Sequence, residues 1–125
     1  MKKILIVEDN DLNLRLVRML LRHESYHFIE ALNGEDAIEI ATKEHPDLIV
    51  LDIQIPKIDG YQVAKKLKSD PILKKIPIFA LTAYAMKGDA EKILEAGCDR
   101  YMSKPLDTEV FKKIVKELMT KNASS

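Results

Sequence analysis

Residues 46–60 read PDLIVLDIQIPKIDG and give the strongest indication of the fold. Four apolar residues, Leu48 to Leu51, follow one another without alternation, which is typical of a parallel strand covered by helices on both faces. The run ends at Asp52, and a second run of the same kind, Ile4 to Val7, ends in two acidic residues. We therefore predict an open parallel sheet with these two strands at its centre.

Short apolar runs alternate with longer segments of helical period along the whole chain, which indicates repeated βα units. Strands are predicted near 3–8, 26–30, 47–52, 77–82 and 99–102, and helices near 11–24, 34–44, 60–69, 86–96 and 107–121. Right-handed connections, with the chain order reversing beside the first strand, lead to a flavodoxin-like (βα)5 fold of class α/β. Its five parallel strands take the order 2-1-3-4-5, with helices on both faces.

Single residues mark the ends of these helices. Asn33 and Asp107 stand where N-caps are expected, and Gly97 stands where the fourth helix should end. One apolar stripe of the last helix is predicted to face the sheet: Val110, Phe111, Ile114, Val115 and Leu118. We expect residues 1–121 to form one domain and residues 122–125 to be a frayed tail.

Composition excludes several classes of function. The 125 residues carry 20 basic and 20 acidic side chains, so no overall positive field draws the chain to DNA or to an anionic membrane. Cys98 is the single cysteine, which excludes an internal disulfide and a cysteine metal cluster. The apolar run near the start is too short for a signal peptide, and none approaches the roughly 18 residues of a membrane-spanning helix. We expect a cytoplasmic protein with no direct DNA binding and no membrane contact.

Polar residues stand at the ends of four of the predicted strands, at the same edge of the sheet. Glu8 and Asp9 stand at the end of the first strand, Asp52 at the end of the third, Thr82 at the end of the fourth, and Lys104 shortly after the fifth. Because ligands of such sheets bind outside the carboxyl ends of the strands, we expect these side chains to converge there. Crowded carboxylates repel one another, and a hard divalent cation with oxygen ligands removes the conflict. Mg²⁺, which keeps several waters, suits an open pocket of this kind.

A carboxylate beside a bound divalent cation is a competent nucleophile toward phosphorus, so Asp52 can form an aspartyl phosphate. Phosphoryl transfer also needs positive charge and hydrogen-bond donors around the equatorial oxygens, and Lys104 and Thr82 would supply them. Lys104 precedes Pro105, and an Xaa–Pro bond is the place where a cis peptide costs least. The Lys104–Pro105 bond is therefore a cis candidate.

Four segments together resemble the receiver domain of two-component response regulators: VEDN around Asp9, LDIQIPKIDG around Asp52, LTA around Thr82 and the SKP that ends in Pro105. The resemblance covers about residues 3–120. It implies that a histidine kinase or a phosphotransfer protein phosphorylates Asp52. The chain would then be a phosphoacceptor signalling protein that assists only its own phosphorylation and dephosphorylation, and not an enzyme acting on other molecules.

The same resemblance assigns roles to the other site residues. Asp9, Asp52 and the backbone carbonyl of Gln54 would bind Mg²⁺, with Glu8 acting through the water shell of the metal. Thr82 and Lys104 would bind the phosphoryl oxygens. Tyr101 would be a switch aromatic that moves together with Thr82.

Within the family, residues 81–105 are most similar to single-domain regulators of cell division and polarity. We therefore expect no output domain, and a monomer or weak dimer. The signal would pass to a downstream protein through the face formed by the fourth helix, the fifth strand and the fifth helix.

Other functions remain open at this point. A receiver module of a hybrid kinase or phosphorelay shares much of the same segment. A flavodoxin-like cofactor binder shares the fold, but its first loop must hold a phosphate that EDND would repel. A phosphatase of the haloacid dehalogenase class carries an acid/base Asp where this chain has Gln54. A receiver that acts only as a scaffold is disfavoured because all five polar positions are filled.

Overall fold

The computed structural model describes residues 2–22, 25–55, 59–83 and 87–124, without the side chains of Lys87 and of residues 121–124. The strands are β1 Lys2–Val7, β2 Tyr26–Ala31, β3 Leu48–Asp52, β4 Ile78–Thr82 and β5 Arg100–Ser103. The helices are α1 Asp11–Leu21, α2 Gly34–Glu44, α3 Gly60–Ser69, α4 Lys87–Glu95 and α5 Thr108–Ser124, and a 3₁₀ turn at Leu73–Lys75 precedes β4.

The five strands form one parallel sheet of order β2-β1-β3-β4-β5. This confirms the predicted flavodoxin-like topology and the central position of β1 and β3. Val7 lies opposite Leu51, and Thr82 lies opposite Ser103. The carboxyl ends of β1, β3, β4 and β5 are therefore level with one another, which brings the polar residues that follow them to one edge.

Each face of the sheet carries its own layer of core side chains. One layer packs Leu5, Val7 and their neighbours in the sheet against α2, α3 and α4. The other packs Ile4, Ile6 and their neighbours against α1 and α5, where Phe79 and Phe111 stack with ring centroids 5.3 Å apart. Both faces of β1 and β3 are thus buried, which explains why their sequences do not alternate between apolar and polar residues.

The predicted helix ends are confirmed at three positions. The Asn33 side chain accepts a hydrogen bond from the Asp36 N–H at 2.9 Å, and the Asp107 side chain accepts one from the Val110 N–H at 3.0 Å. Gly97 has φ +103°, a left-handed conformation that favours glycine after a helix. Local sequence therefore decides where these helices begin and end.

Three predicted details of the helices differ from the structure. Val110 is 44% exposed. The buried stripe of α5 begins one residue later and consists of Phe111, Ile114, Val115, Leu118 and Met119. The fifth helix continues past residue 121 to Ser124, through a segment without Gly or Pro. The first helix ends at Leu21 and not at residue 24. Residues 23, 24 and 86, which the prediction assigned to helices, lie outside the described residues.

The start of α3 lies against the end of β3 at Gly60. The Gly60 N–H donates to the Ile53 carbonyl at 3.0 Å, and a Cβ on Gly60 would lie 2.6 Å from the Ile53 Cα. Only glycine allows this approach. The segment that carries Asp52 and Gln54 is therefore held against the start of α3. Among the helices described, none is long and apolar enough to cross a membrane.

Candidate functional site

An acidic cluster lies at the carboxyl edge of the sheet, where β1 and β3 end side by side. Carboxylate oxygens of Glu8, Asp9 and Asp52 all lie within 4.8 Å of one another. Glu8 and Asp52 are buried, at 2% and 3% exposure, whereas Asp9 is exposed. Oxygen donors with one open side fit a magnesium ion that keeps part of its water shell. These residues could therefore hold Mg²⁺.

Lys104 reaches into this cluster from the residue that follows β5. Its Nζ donates to Asp52 Oδ2 at 3.1 Å and to Glu8 Oε2 at 3.3 Å. Its backbone N–H donates to the Thr82 carbonyl at 2.8 Å, and the Lys104–Pro105 peptide bond is cis. Burial lowers the pKa of the ammonium, but the charges of Asp52 and Glu8 and the hydrogen bonds to them raise it by more. Lys104 is therefore a fixed positive charge beside Asp52.

Glu8 holds its proton unusually tightly. Burial, followed by the hydrogen bond to Asp52 and the charge of Asp52, raises its pKa from 4.5 to about 7, against the opposing effects of the Asn10 N–H and Lys104. A proton on Glu8 near neutral pH relieves the repulsion between two buried carboxylates. A divalent cation would provide the same relief with both groups ionised.

Gln54 connects Asp52 to the end of β4. Its backbone N–H donates to Asp52 Oδ1 at 3.0 Å. Its side-chain Nε2 donates to Thr82 Oγ1 at 3.2 Å, and its Oε1 accepts from the Ala83 N–H at 3.1 Å. From the sequence, only the backbone carbonyl of Gln54 was expected to take part, and these side-chain contacts were missed. The sequence held one signal for these contacts. Gln54 is a polar residue two positions after Asp52, and the neighbouring strand of the predicted sheet ends at Thr82.

Tyr101 is the one predicted site residue that lies away from the acidic cluster. It pairs in register with Ala80, two residues before the Thr82–Ser103 pair, and its side chain is 37% exposed. The structure thus brings Glu8, Asp9, Asp52, Thr82 and Lys104 to one edge and places Tyr101 on the outer surface of the last strand.

A cavity of about 420 Å³ opens beside the cluster, between α1 and the segment after β5. Glu8 and Lys104 form its polar end, and Leu16 and Leu106 contribute apolar walls. Leu12, on the first turn of α1, is 73% exposed. The cavity beside Glu8 and Lys104 therefore has apolar walls, and exposed apolar side chains lie on the same helix.

The match with known proteins extends over most of the chain. Residues 4–116 match the family described as the response regulator receiver domain. The chain belongs to this family. It is 44% identical over 118 residues to the polar-differentiation response regulator DivK of Brucella ovis, a match that covers 94% of this chain and 96% of DivK. The protein is thus a receiver domain of a two-component response regulator, similar to DivK.

Two solved receiver domains share its fold. The signal receiver domain of a signal transduction histidine kinase from Syntrophus aciditrophicus has a TM-score of 0.90 at 32% identity, over 97% of this chain and 92% of that one. The receiver domain of a sensor histidine kinase from Pseudomonas aeruginosa has a TM-score of 0.88 at 31% identity, over 95% and 98%. A magnesium ion is coordinated in the active site cleft of the latter.

Proposed function

We propose that this receiver accepts a phosphoryl group on Asp52 from a histidine kinase or phosphotransfer protein in the cytoplasm. The observation that carries the proposal is the setting of Asp52. It is a buried carboxylate with oxygens of Glu8 and Asp9 within 4.8 Å, and the Lys104 ammonium, which also contacts Glu8, lies 3.1 Å away. Nucleophile, countercharge and cation ligands thus occupy one small volume.

In the proposed mechanism, the residues at this edge bind the metal, attack phosphorus and then bind the phosphoryl oxygens. Asp9, Asp52 and the Gln54 backbone carbonyl would hold Mg²⁺, and Glu8 would act through its water shell. Bound there, the ion would supply positive charge to the transferring phosphoryl group. An Asp52 oxygen forms a bond to phosphorus as the bond from phosphorus to the donor's imidazole nitrogen breaks. The Lys104 ammonium and the Thr82 hydroxyl then bind the phosphoryl oxygens.

We propose that the phosphodonor protein reaches Asp52 from the side of α1. We assign its docking surface, the input face, to Leu12, Leu16 and Met19, which are 73%, 40% and 57% exposed. Leu16 also lines the cavity that contains Glu8 and Lys104. A partner covering these apolar side chains would bring its phosphorylated histidine to the cavity and exclude water from it.

The output of the proposed switch lies on another surface. Phosphorylation would draw Thr82 toward the new oxygens, and the exposed Tyr101 ring would turn inward. The face formed by α4, β5 and α5, which carries Tyr101, would then bind a downstream protein. We propose that the receiver acts this way as a monomer or weak dimer, without enzymatic activity on other molecules. Its similarity to DivK supports a role in cell division or polarity control.

The phosphoacceptor assignment is tested by intact-mass measurement after treatment with acetyl phosphate and Mg²⁺. We expect the parent to gain one acid-stable, base-labile phosphate and Asp52→Asn to gain none, because the amide keeps the shape but is not a nucleophile. Asp36→Asn, at the exposed start of α2, is the matched control and should behave like the parent. Full phosphorylation of Asp52→Asn would contradict the assignment.

A second candidate function is that of a module in a hybrid kinase or phosphorelay. The two solved receivers described above, both from histidine kinases, support it. In this case the phosphoryl group on Asp52 would pass on to a histidine of a phosphotransfer protein. Incubating the phosphorylated receiver with phosphotransfer domains of the source organism and following the label distinguishes the two functions, since a terminal regulator would lose its phosphate only to water.

A further inference from the structure

The Gln54 side chain makes a two-point contact with the end of β4. Its Nε2 donates to Thr82 Oγ1 at 3.2 Å, and its Oε1 accepts from the Ala83 N–H at 3.1 Å. Thr82 is fully buried, whereas Gln54 and Ala83 are exposed, so this contact joins a buried hydroxyl to the surface of the site. The planar amide of Gln54 thereby contacts the side chain of Thr82 and the backbone of the next residue, Ala83.

The same residue is tied to the phosphoacceptor. Its backbone N–H donates to Asp52 Oδ1 at 3.0 Å. Gln54 thus connects the Asp52 carboxylate, which would receive the phosphoryl group, with Thr82, which would move in response. A displacement of Thr82 toward a phosphoryl group on Asp52 would carry the Ala83 N–H with it, because the two residues are adjacent in the chain. Both bonds from the Gln54 amide would then be broken.

We propose that the Gln54 side chain is a positioning residue that holds Thr82 and Ala83 in the unphosphorylated arrangement and so opposes the switch. This inference rests on the proposed function. It adds a residue that shifts the equilibrium between the unphosphorylated and the phosphorylated arrangement. A phosphoryl group shifts the switch only by its differential interaction with the two arrangements, so each bond that favours the unphosphorylated one reduces the apparent affinity for phosphate.

The side chain of Gln54 can be changed separately from its backbone. The carbonyl proposed to bind Mg²⁺ and the N–H that donates to Asp52 remain in any substitution except proline. Gln54→Leu removes both amide contacts at nearly constant volume. Gln62→Leu is the matched control, because Gln62 is an exposed glutamine on α3 whose described hydrogen bond is made by its backbone N–H to Asp59.

The test is an NMR titration of the full chain with beryllofluoride at saturating Mg²⁺. We expect Gln54→Leu to lower the dissociation constant about three- to tenfold, which is less than two buried hydrogen bonds would support, because Gln54 and Ala83 are exposed. In the unliganded variant, the Thr82 and Ala83 amide signals and the Tyr101 ring signals should lie partway toward their positions in the beryllofluoride-bound parent. Gln62→Leu should match the parent in both measurements.

The possible outcomes distinguish this inference from the proposed function. An unchanged or raised dissociation constant in Gln54→Leu, with normal binding by the parent, would overturn the role of Gln54 alone. Unliganded signals that do not move would also overturn that role, since a side chain that only stabilises the fold would weaken the variant without biasing the switch. A parent that binds no beryllofluoride, or an Asp52→Asn variant that binds it equally well, would overturn both proposals. Gln54→Met provides a second variant if Gln54→Leu does not fold.

Discussion

Two buried carboxylates share one ammonium at the centre of the site. Glu8 and Asp52 both accept from Lys104 Nζ, at 3.3 and 3.1 Å. One positive charge cannot neutralise two negative ones, and the raised pKa of Glu8 follows from burial together with this imbalance. The site is therefore prepared for a second positive charge, either a proton on Glu8 or a divalent cation.

The first prediction concerns pH. Because the pKa of Glu8 is about 7 in the folded protein and 4.5 ordinarily, the folded state binds its proton more tightly than the unfolded state. In EDTA, the free energy of unfolding should therefore fall between about pH 4.5 and 7, by about 3 kcal/mol at most. Glu8→Gln should lose this dependence. Urea unfolding of both proteins from pH 5 to 8 checks it, and parallel pH profiles would be the contrary result.

The second prediction concerns the metal. Asp9 is the exposed member of the acidic cluster and a proposed direct ligand, so Asp9→Ala should lose stabilisation by Mg²⁺. At a hundred times the dissociation constant, Mg²⁺ should raise the free energy of unfolding of the parent by about 2.7 kcal/mol. Without metal, Asp9→Ala should be at least as stable as the parent, because one repulsive charge is gone. Thermal melting with and without Mg²⁺ measures both effects.

Asp11→Ala is the control for this metal experiment. Asp11 lies two residues further on and pairs with Arg15 on the exposed side of α1, at 3.0 Å. Its removal should leave the response to Mg²⁺ unchanged. If Mg²⁺ stabilised Asp9→Ala as strongly as the parent, Asp9 would not be a ligand.

At the scale of elements, contact between the end of β3 and the start of α3 holds the segment that carries Asp52 and Gln54. The Gly60 N–H donates to the Ile53 carbonyl, and Asp59 caps α3 by accepting from the Gln62 N–H at 3.0 Å. The helix start is thereby packed directly on the strand end. Geometry at the site therefore depends on a glycine that takes no part in its chemistry.

The third prediction compares two helical glycines. Gly60→Ala should lower the free energy of unfolding by about 1 to 3 kcal/mol, because the new Cβ would lie 2.6 Å from the Ile53 Cα. Gly88→Ala, on α4, should be neutral or stabilise by up to about 1 kcal/mol, because nothing lies within 4 Å of its Cβ. Urea unfolding measures both variants. Equal effects at the two positions would show that the close approach at Gly60 is not rigid.

At the scale of the whole molecule, the proposed input and output surfaces lie on different elements. The input face belongs to α1, beside β1 and β3, whereas the output face belongs to α4, β5 and α5. Arg100 at the start of β5 pairs with Glu117 of α5 at 2.9 Å, an exposed contact worth about 1 kcal/mol or less. Charge changes on the output face should therefore leave the fold intact.

The fourth prediction separates the two faces. Leu12→Ser should slow phosphotransfer from the cognate histidine kinase about tenfold or more, through lost apolar contact, with phosphorylation by acetyl phosphate unchanged. Glu91→Lys with Arg100→Glu should leave both phosphorylation reactions unchanged and weaken downstream binding. Radiolabelled transfer and calorimetric binding are the measurements. Charge reversals at Glu35 and Glu39 on α2 serve as controls. If those break downstream binding instead, the output face is wrong.

Much of the fold was predictable because its determinants are local. Unbroken apolar runs identify β1 and β3 as central, and Asn33, Gly97 and Asp107 mark helix ends through contacts with residues only a few positions away. Positions of the site residues followed equally directly, since each polar residue either ends a strand or comes just after one. Their chemical roles stay predictions until phosphorylation and metal binding are measured.

The element order, the parallel sheet and the set of polar residues that meet at its edge were predictable from local sequence, because periodicity and strand ends are properties of neighbouring residues. The interactions among those residues became visible only in the folded chain. The contact of Gln54 with Thr82 joins two strand ends 28 positions apart, and the pKa of Glu8 depends on burial and on its contact with Asp52. Hydrogen-bond partners and desolvation depend on distances between separate strands, and such distances exist only once the chain has folded.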